Sequence, residues 1–124
     1  MPKASEKADG SPVTEADKAA EKIVLDALKE YAPDITIISE ENTQSHTLTP
    51  PDKFFLVDPL DGTTNFLHQV PMFAVSVALQ HHEETVLGVV YEVNRSECFS
   101  AWKGGGAFLN GHPIKVSPTK MLSE

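Results

Sequence analysis

The sequence predicts an α+β domain in which one helix packs on an antiparallel sheet. Three observations lead there: a single apolar stripe at helical spacing near the start, a change to strand-like period after it, and a series of short β-prone runs in the last third. The chain has 124 residues, 40% hydrophobic and 23% charged, which suits one modest core and one domain.

The first thirteen residues, MPKASEKADGSPV, mix Pro, Ser, Gly and charges without apolar period. They are expected to form a flexible lead-in without elements, with the domain running over 14–124. From Thr14 onward Ala16, Ala19, Ala20, Ile23, Val24, Ala27, Leu28 and Tyr31 recur at steps of three and four, which predicts a helix. Thr14 and Asp17 form its capping pattern, and Pro33 supplies its stop. Residues 35–38 and 53–57 (KFFLV) predict two strands joined by an exposed loop. Phe73, Val75, Val77 and Leu79 alternate with Ala74, Ser76, Ala78 and Gln80, so this strand turns large residues to one face and small ones to the other. The small face is expected to pack on a helix. Residues 85–91, 96–102 and 107–109 continue as strands, with Asn110-Gly111 suited to a tight hairpin turn, which makes the last third an antiparallel meander.

Charge and composition exclude several functions. Ten basic against eighteen acidic residues give a net charge of -8, the wrong sign for binding nucleic acid through its phosphates. No apolar run approaches the ~18 residues of a membrane span. No secretory leader pattern opens the chain, so a cytoplasmic protein without membrane contact is expected. The single cysteine, Cys98, excludes an internal disulfide and a Cys-rich zinc site, and reads as a strand residue.

The chemistry concentrates in Asp58-Pro59-Leu60-Asp61-Gly62-Thr63-Thr64-Asn65-Phe66, directly after KFFLV. Pro59 disfavours helix at Asp58, so the strand is expected to end there with a carboxylate, and Asp61-Gly62 suits a sharp turn. If residues 63–66 open a short helix, the amides of Gly62, Thr63 and Thr64 offer an anion site beside two carboxylates. A phosphate there requires a cation between, and hard oxygen donors point to Mg²⁺. Glu40 and Glu41, at the end of the preceding strand, can supply a third carboxylate, and Asp17, at the margin of the helical stripe, a fourth. Such a set suits metal-assisted hydrolysis. Each piece also has a plainer reading, as turn formers, a solvated strand end and a helix cap; their combination favours the site.

These residues give the chain a resemblance to the inositol monophosphatase-like, lithium-sensitive, Mg²⁺-dependent phosphatases. The likeness runs from Ser11-Pro12-Val13-Thr14-Glu15-Ala16-Asp17 through Ile38-Ser39-Glu40-Glu41 and the 58–66 segment to Gly88-Val89-Val90-Tyr91 and residues 103–111. The resemblance implies the N-terminal half of that family's layered fold, with Mg²⁺ as cofactor and a small-molecule phosphate ester as substrate. It implies Glu40, Asp58, the Leu60 carbonyl and Asp61 as metal ligands, Asp58 bridging two ions. Thr63 with Asp17 would orient a metal-bound water, Glu40 would share in the catalysis, and Gly62 and Thr63 would hold the phosphate beside Leu60 and Asp61. On this reading Asp61→Asn and Thr63→Ala both leave a folded chain without hydrolysis.

The chain departs from the family in length, a member being roughly twice as long. The family's Trp-Asp element has no match, since Lys103 follows Trp102, and its first long helix is missing. The chain is therefore expected to be the metal-binding half of a phosphatase, truncated or dependent on another chain, with a homodimer or a complementing chain as its partner. A non-catalytic metal-binding or interaction fragment is the competing reading. The motifs lean to inositol monophosphate or histidinol phosphate as substrate, with features of the 3′,5′-bisphosphate nucleotide branch. Gly104-Gly105-Gly106 reads as a turn, and His81-His82-Glu83-Glu84 as a solvated connection. His46, His68 and His112 lack ligand spacing, and Asn94-Arg95-Ser96 matches a glycosylation acceptor without the leader that would expose it to the modifying enzyme.

Overall fold

A computed structural model of the chain describes residues 4–6, 12–39 and 51–122. Along them run β1 (Ala4–Glu6), β2 (Pro12–Thr14), α1 (Glu15–Tyr31), β3 (Thr36–Ser39), β4 (Lys53–Asp61) and α2 (Thr63–Leu67). The meander follows as β5 (Ala74–His81), β6 (Glu84–Glu92), β7 (Glu97–Trp102), β8 (Gly106–Leu109) and β9 (His112–Ile114). Strands β3 to β9 form one seven-stranded sheet in chain order, and α1 lies over β4. The expected helix on a sheet is what the chain forms.

Four details differ from the sequence reading. The lead-in carries elements: β1 and β2 pair antiparallel, Ala4 opposite Thr14 and Glu6 opposite Pro12. A two-stranded ladder is a backbone device and needs no apolar period, so composition does not reveal it. Second, the sheet has one parallel pair, β3 with β4, among antiparallel neighbours. Parallel strands require a crossover of about a dozen residues or more, and residues 40–52 provide that length; the loop expected there lies largely outside the described residues.

The third difference concerns faces. Phe55 and Val57 are buried while Leu56 between them is 45% exposed, so one face of β4 is covered. Ser39, opposite Val57, donates a hydrogen bond to Glu21 on α1 (3.2 Å), which puts the helix on that face. Phe55 pairs with Leu79 and Val57 with Val77. Paired residues share a face, so the large side chains of β5 turn toward the helix layer and the small ones away from it. Ala78, Gly88 and Ala101 line up across the far face. There, a shallow groove of about 210 Å³ opens among Gly88, Val90, Phe99, Ala107 and Ile114.

Fourth, β4 does not stop at Asp58. It runs on through Pro59 to Asp61, with Asp58 opposite Ser76 and Asp61 opposite Ala74. Three steps on one strand against two on its partner make a bulge. A bulge is where a sheet accepts proline, which has no N–H to give the ladder.

The helix itself matches its predicted span and ends at Tyr31, two residues before Pro33. On its outer side Lys22 and Asp26 pair at 2.8 Å one turn apart; their hydrogen bond and charge raise the lysine pKa and lower that of the aspartate. The apolar stripe is only partly buried, with Ile23 and Tyr31 exposed. Among the described residues the buried apolar side chains are Phe55, Val57, Leu60 and Pro59. No helix among them is long and apolar enough to cross a membrane.

The meander's turns follow the residues that favour them. Asn110 and Gly111 both have positive φ (49° and 80°), the conformation of a tight two-residue hairpin, and the Asn110 side-chain oxygen accepts the Cys98 N–H at 2.8 Å. Cys98 is half-buried on β7, the strand residue expected. In the glycine turn, Trp102 stacks on Phe108 with ring centroids 5.0 Å apart and covers Gly105, where a Cβ would fall inside the indole ring. Gly105→Ala therefore expels the ring and forfeits about 0.5–1.5 kcal/mol of stacking. Because Trp102 is the sole tryptophan, the displacement is expected as a red shift of the intrinsic emission in the native state, with a small fall in the urea midpoint.

Candidate active site

The bulge in β4 builds the site. It ends the strand in a turn that carries Asp58, Leu60, Asp61, Gly62 and Thr63 within six residues, and α2 starts at Thr63 as the sequence predicts. The Leu60 side chain is buried, which anchors the turn to the core. The Leu60 N–H donates back to Asp58 Oδ1 at 3.2 Å, fixing that carboxylate over its own turn. Asp61 is exposed.

Gly62 is the pivot, with φ at 98°. A Cβ there would lie 3.0 Å from the Met72 carbonyl oxygen and 3.3 Å from Phe73 Cα, so both the dihedral and the space demand glycine. Thr63 follows and points back inward. Its Oγ1 stands 3.1 Å from Asp17 Oδ1 and 3.1 Å from the Leu60 carbonyl oxygen. Asp17, in the first turn of α1, is fully buried, and Thr63 is buried with it. One hydroxyl proton thus faces two acceptors, a carboxylate and a carbonyl.

The predicted residues therefore fall into three groups. Thr63 contacts both Asp17 and the Leu60 carbonyl, and Asp58, Asp61 and Gly62 sit on the same turn. Glu40, Glu41 and His46 lie outside the described residues; the strand leading to them ends at Ser39, level with Val57. Thr63 also has a structural role. Because its hydroxyl serves a buried carboxylate, Thr63→Ala is expected to cost stability as well as any chemistry, whereas exposed Asp61 is the cleaner probe.

Two residues beside the site were not singled out by sequence. Ser39 is fully buried, and its hydroxyl donates to Glu21, one helical turn after Asp17. The i, i+4 spacing of Asp17 and Glu21 was the available signal, placing both on one face of α1. Next to the turn, a cleft of about 270 Å³ opens between Asp61, Gly62, Asn65 and Glu92.

Among the described residues, the Asp58 and Asp61 carboxylates and the Leu60 carbonyl could hold a cation, all hard oxygens on one turn. Among the described residues no group of three or more His, Cys, Asp or Glu side chains gathers as a metal cluster. What fits is a partial oxygen set, two carboxylates and one backbone carbonyl.

Known proteins resemble this chain in sequence and fold. The family model of the inositol monophosphatase family matches residues 2–124. The Nus factor SuhB of Salmonella typhimurium is 43% identical over 96% of the chain, and the match covers 44% of that protein. An inositol monophosphatase from Dictyostelium discoideum is 42% identical over 90% of the chain and 42% of its own length. The crystal structure of the extragenic suppressor protein suhB from Bartonella henselae superposes with a TM-score of 0.84 at 39% identity, covering 95% of this chain and 46% of that one. The chain thus spans less than half the length of the relatives it matches. A match over nearly every residue, together with two-fifths identity to proteins of that name, makes the assignment plain: the chain belongs to the inositol monophosphatase family.

Proposed function

We propose that the chain carries the ion-binding and water-orienting half of a Mg²⁺-dependent phosphomonoesterase of the inositol monophosphatase type. The observation that carries this reading is the Thr63 hydroxyl held between buried Asp17 and the Leu60 carbonyl. Asp58, Asp61, the Leu60 carbonyl and Glu40 are the proposed ligands; when bound, the cation neutralises phosphate charge and acidifies water.

The chain's own residues supply the rest. The Thr63 hydroxyl proton can go to Asp17, and the lone pairs of Thr63 Oγ1 would then accept from a water and hold it for attack on phosphorus. That arrangement would be favoured with the Leu60 carbonyl engaged by a cation. Asp17 stays in register because it is packed into the first turn of α1, where the helix dipole favours its charge. The amides of Gly62 and Thr63 hold the phosphate, and the cleft beside Asp61 leaves room for the alcohol. Inositol monophosphate is the favoured substrate, histidinol phosphate or a 3′,5′-bisphosphate nucleotide the alternatives.

A non-catalytic role is the second reading. It is favoured by relatives as similar as the Nus factor SuhB, and by a chain that spans less than half of the relatives' length and has no match to the family's Trp-Asp element. The two readings separate on turnover. Phosphate release is expected from inositol 1-phosphate with Mg²⁺ and not without it, and Asp61→Asn is expected to fall to the background of enzyme-free buffer while folding as wild type does. A folded wild-type chain with no release from any of the three esters refutes the catalytic proposal for this chain.

Thr63→Val gives a separate test of the buried contact. It keeps the volume and removes the donor from Asp17, so a loss of about 1–3 kcal/mol is expected in urea unfolding. An unchanged midpoint would show that the hydroxyl does not support the buried carboxylate.

A further inference from the structure

The segment after α2 folds back onto the site turn. The Val70 N–H donates to the Asn65 carbonyl at 2.8 Å, and the Phe66 and Phe73 rings meet edge to face at 5.3 Å. The Asn65 side-chain amide donates to the Met72 carbonyl oxygen, also at 2.8 Å. That same oxygen lies where a Gly62 Cβ would be crowded, 3.0 Å away. Asn65 is therefore one residue removed from the metal-donor turn: it holds Met72, and Met72 abuts Gly62.

We propose that Asn65 is a positioning residue for the site turn. Its amide draws the Met72 carbonyl into place against Gly62, and that contact keeps Gly62 at positive φ, so the Leu60 carbonyl and the Asp61 carboxylate stay on one turn. The charge also matters. A carbonyl oxygen without its donor would turn its negative end toward the cleft between Asp61 and Gly62, where two carboxylates already stand. The part of this inference that concerns the cation rests on the reading of the turn as an ion site.

The test uses the full chain, with Asn65→Leu, which keeps the size and loses the donor, and Asn65→Gln, which keeps a donor on a longer arm. In the ion-free protein the amide-to-Hα couplings of Gly62 report its φ directly. They are expected to shift in Asn65→Leu while the amide resonances of β6 and β7 stay in place, and to return toward wild type in Asn65→Gln. Mg²⁺ alone, titrated by calorimetry, is expected to bind Asn65→Leu at least tenfold more weakly than wild type. Unchanged Gly62 couplings in Asn65→Leu would overturn the positioning role. Shifted couplings with unaltered Mg²⁺ affinity would overturn its link to the ion. Absence of Mg²⁺ binding in wild type would overturn the ion-site reading itself, and the couplings would still decide whether Asn65 holds Gly62.

Discussion

A carboxylate with no solvent exposure has to be matched by donors, and in this chain that requirement organises the structure around Asp17. Its place in the first turn of α1 supplies part of the match, because the helix start is positive. The Thr63 hydroxyl supplies another part, and Thr63 belongs to the turn after β4, forty-six residues away in sequence. Helix and turn are thereby fixed end to end. One helical turn further, Glu21 accepts from Ser39 and ties the same helix to the end of β3. Buried apolar side chains are few among the described residues, and Val57, Pro59 and Leu60 lie within or beside the same turn. The site is not placed on a separate core; much of the core is the site.

That arrangement explains the bulge. A regular strand would alternate faces through residues 58–61 and would give the ladder an N–H at 59, which proline cannot. The extra residue absorbs Pro59. It also leaves the Leu60 side chain in the core while the Leu60 carbonyl stands within reach of Thr63. Gly62 then reverses the chain at a dihedral that other residues adopt only with strain, under a carbonyl that leaves no space for a Cβ. Two residues with unusual backbone demands, Pro59 and Gly62, set three residues apart around a bulge, give one turn its shape, which is why the motif is so compact in sequence.

Much of this was legible from residue order. The helix followed from a stripe at steps of three and four, the meander from short β-prone runs and an Asn-Gly turn, and the 58–66 segment from the rarity of its combination. What stayed hidden is non-local. That β3 and β4 run parallel depends on a crossover, and residue pattern does not report strand direction. The facing of β5 is set by its partner: Val77 could not be oriented until Val57 opposite it was known to be covered. The bulge was hidden because Asp-Pro reads equally as a strand end. Ser39 and Glu21 were missed because each is an ordinary residue for its element, and only the fold brings them together.

The distribution of exposed apolar surface bears on how catalysis and binding relate. Ile23 and Tyr31 on the helix, and Leu56, Val90, Phe99 and Ile114 on the far sheet face, remain open to solvent. At roughly 25 cal/mol per Å² of apolar area, surface left uncovered is stability not gained. The contacts that shape the site turn draw on none of these residues: Thr63 with Asp17, Gly62 against Met72 and Phe66 against Phe73 all lie within the helix start and the 58–74 segment. The turn can therefore keep its geometry while the far face is bare. On the proposed reading, ion binding, which draws on the turn and Glu40, is separable from turnover, which would also ask for walls around the alcohol. In a chain spanning less than half the length of its relatives, that separation is the property that distinguishes the two functional readings.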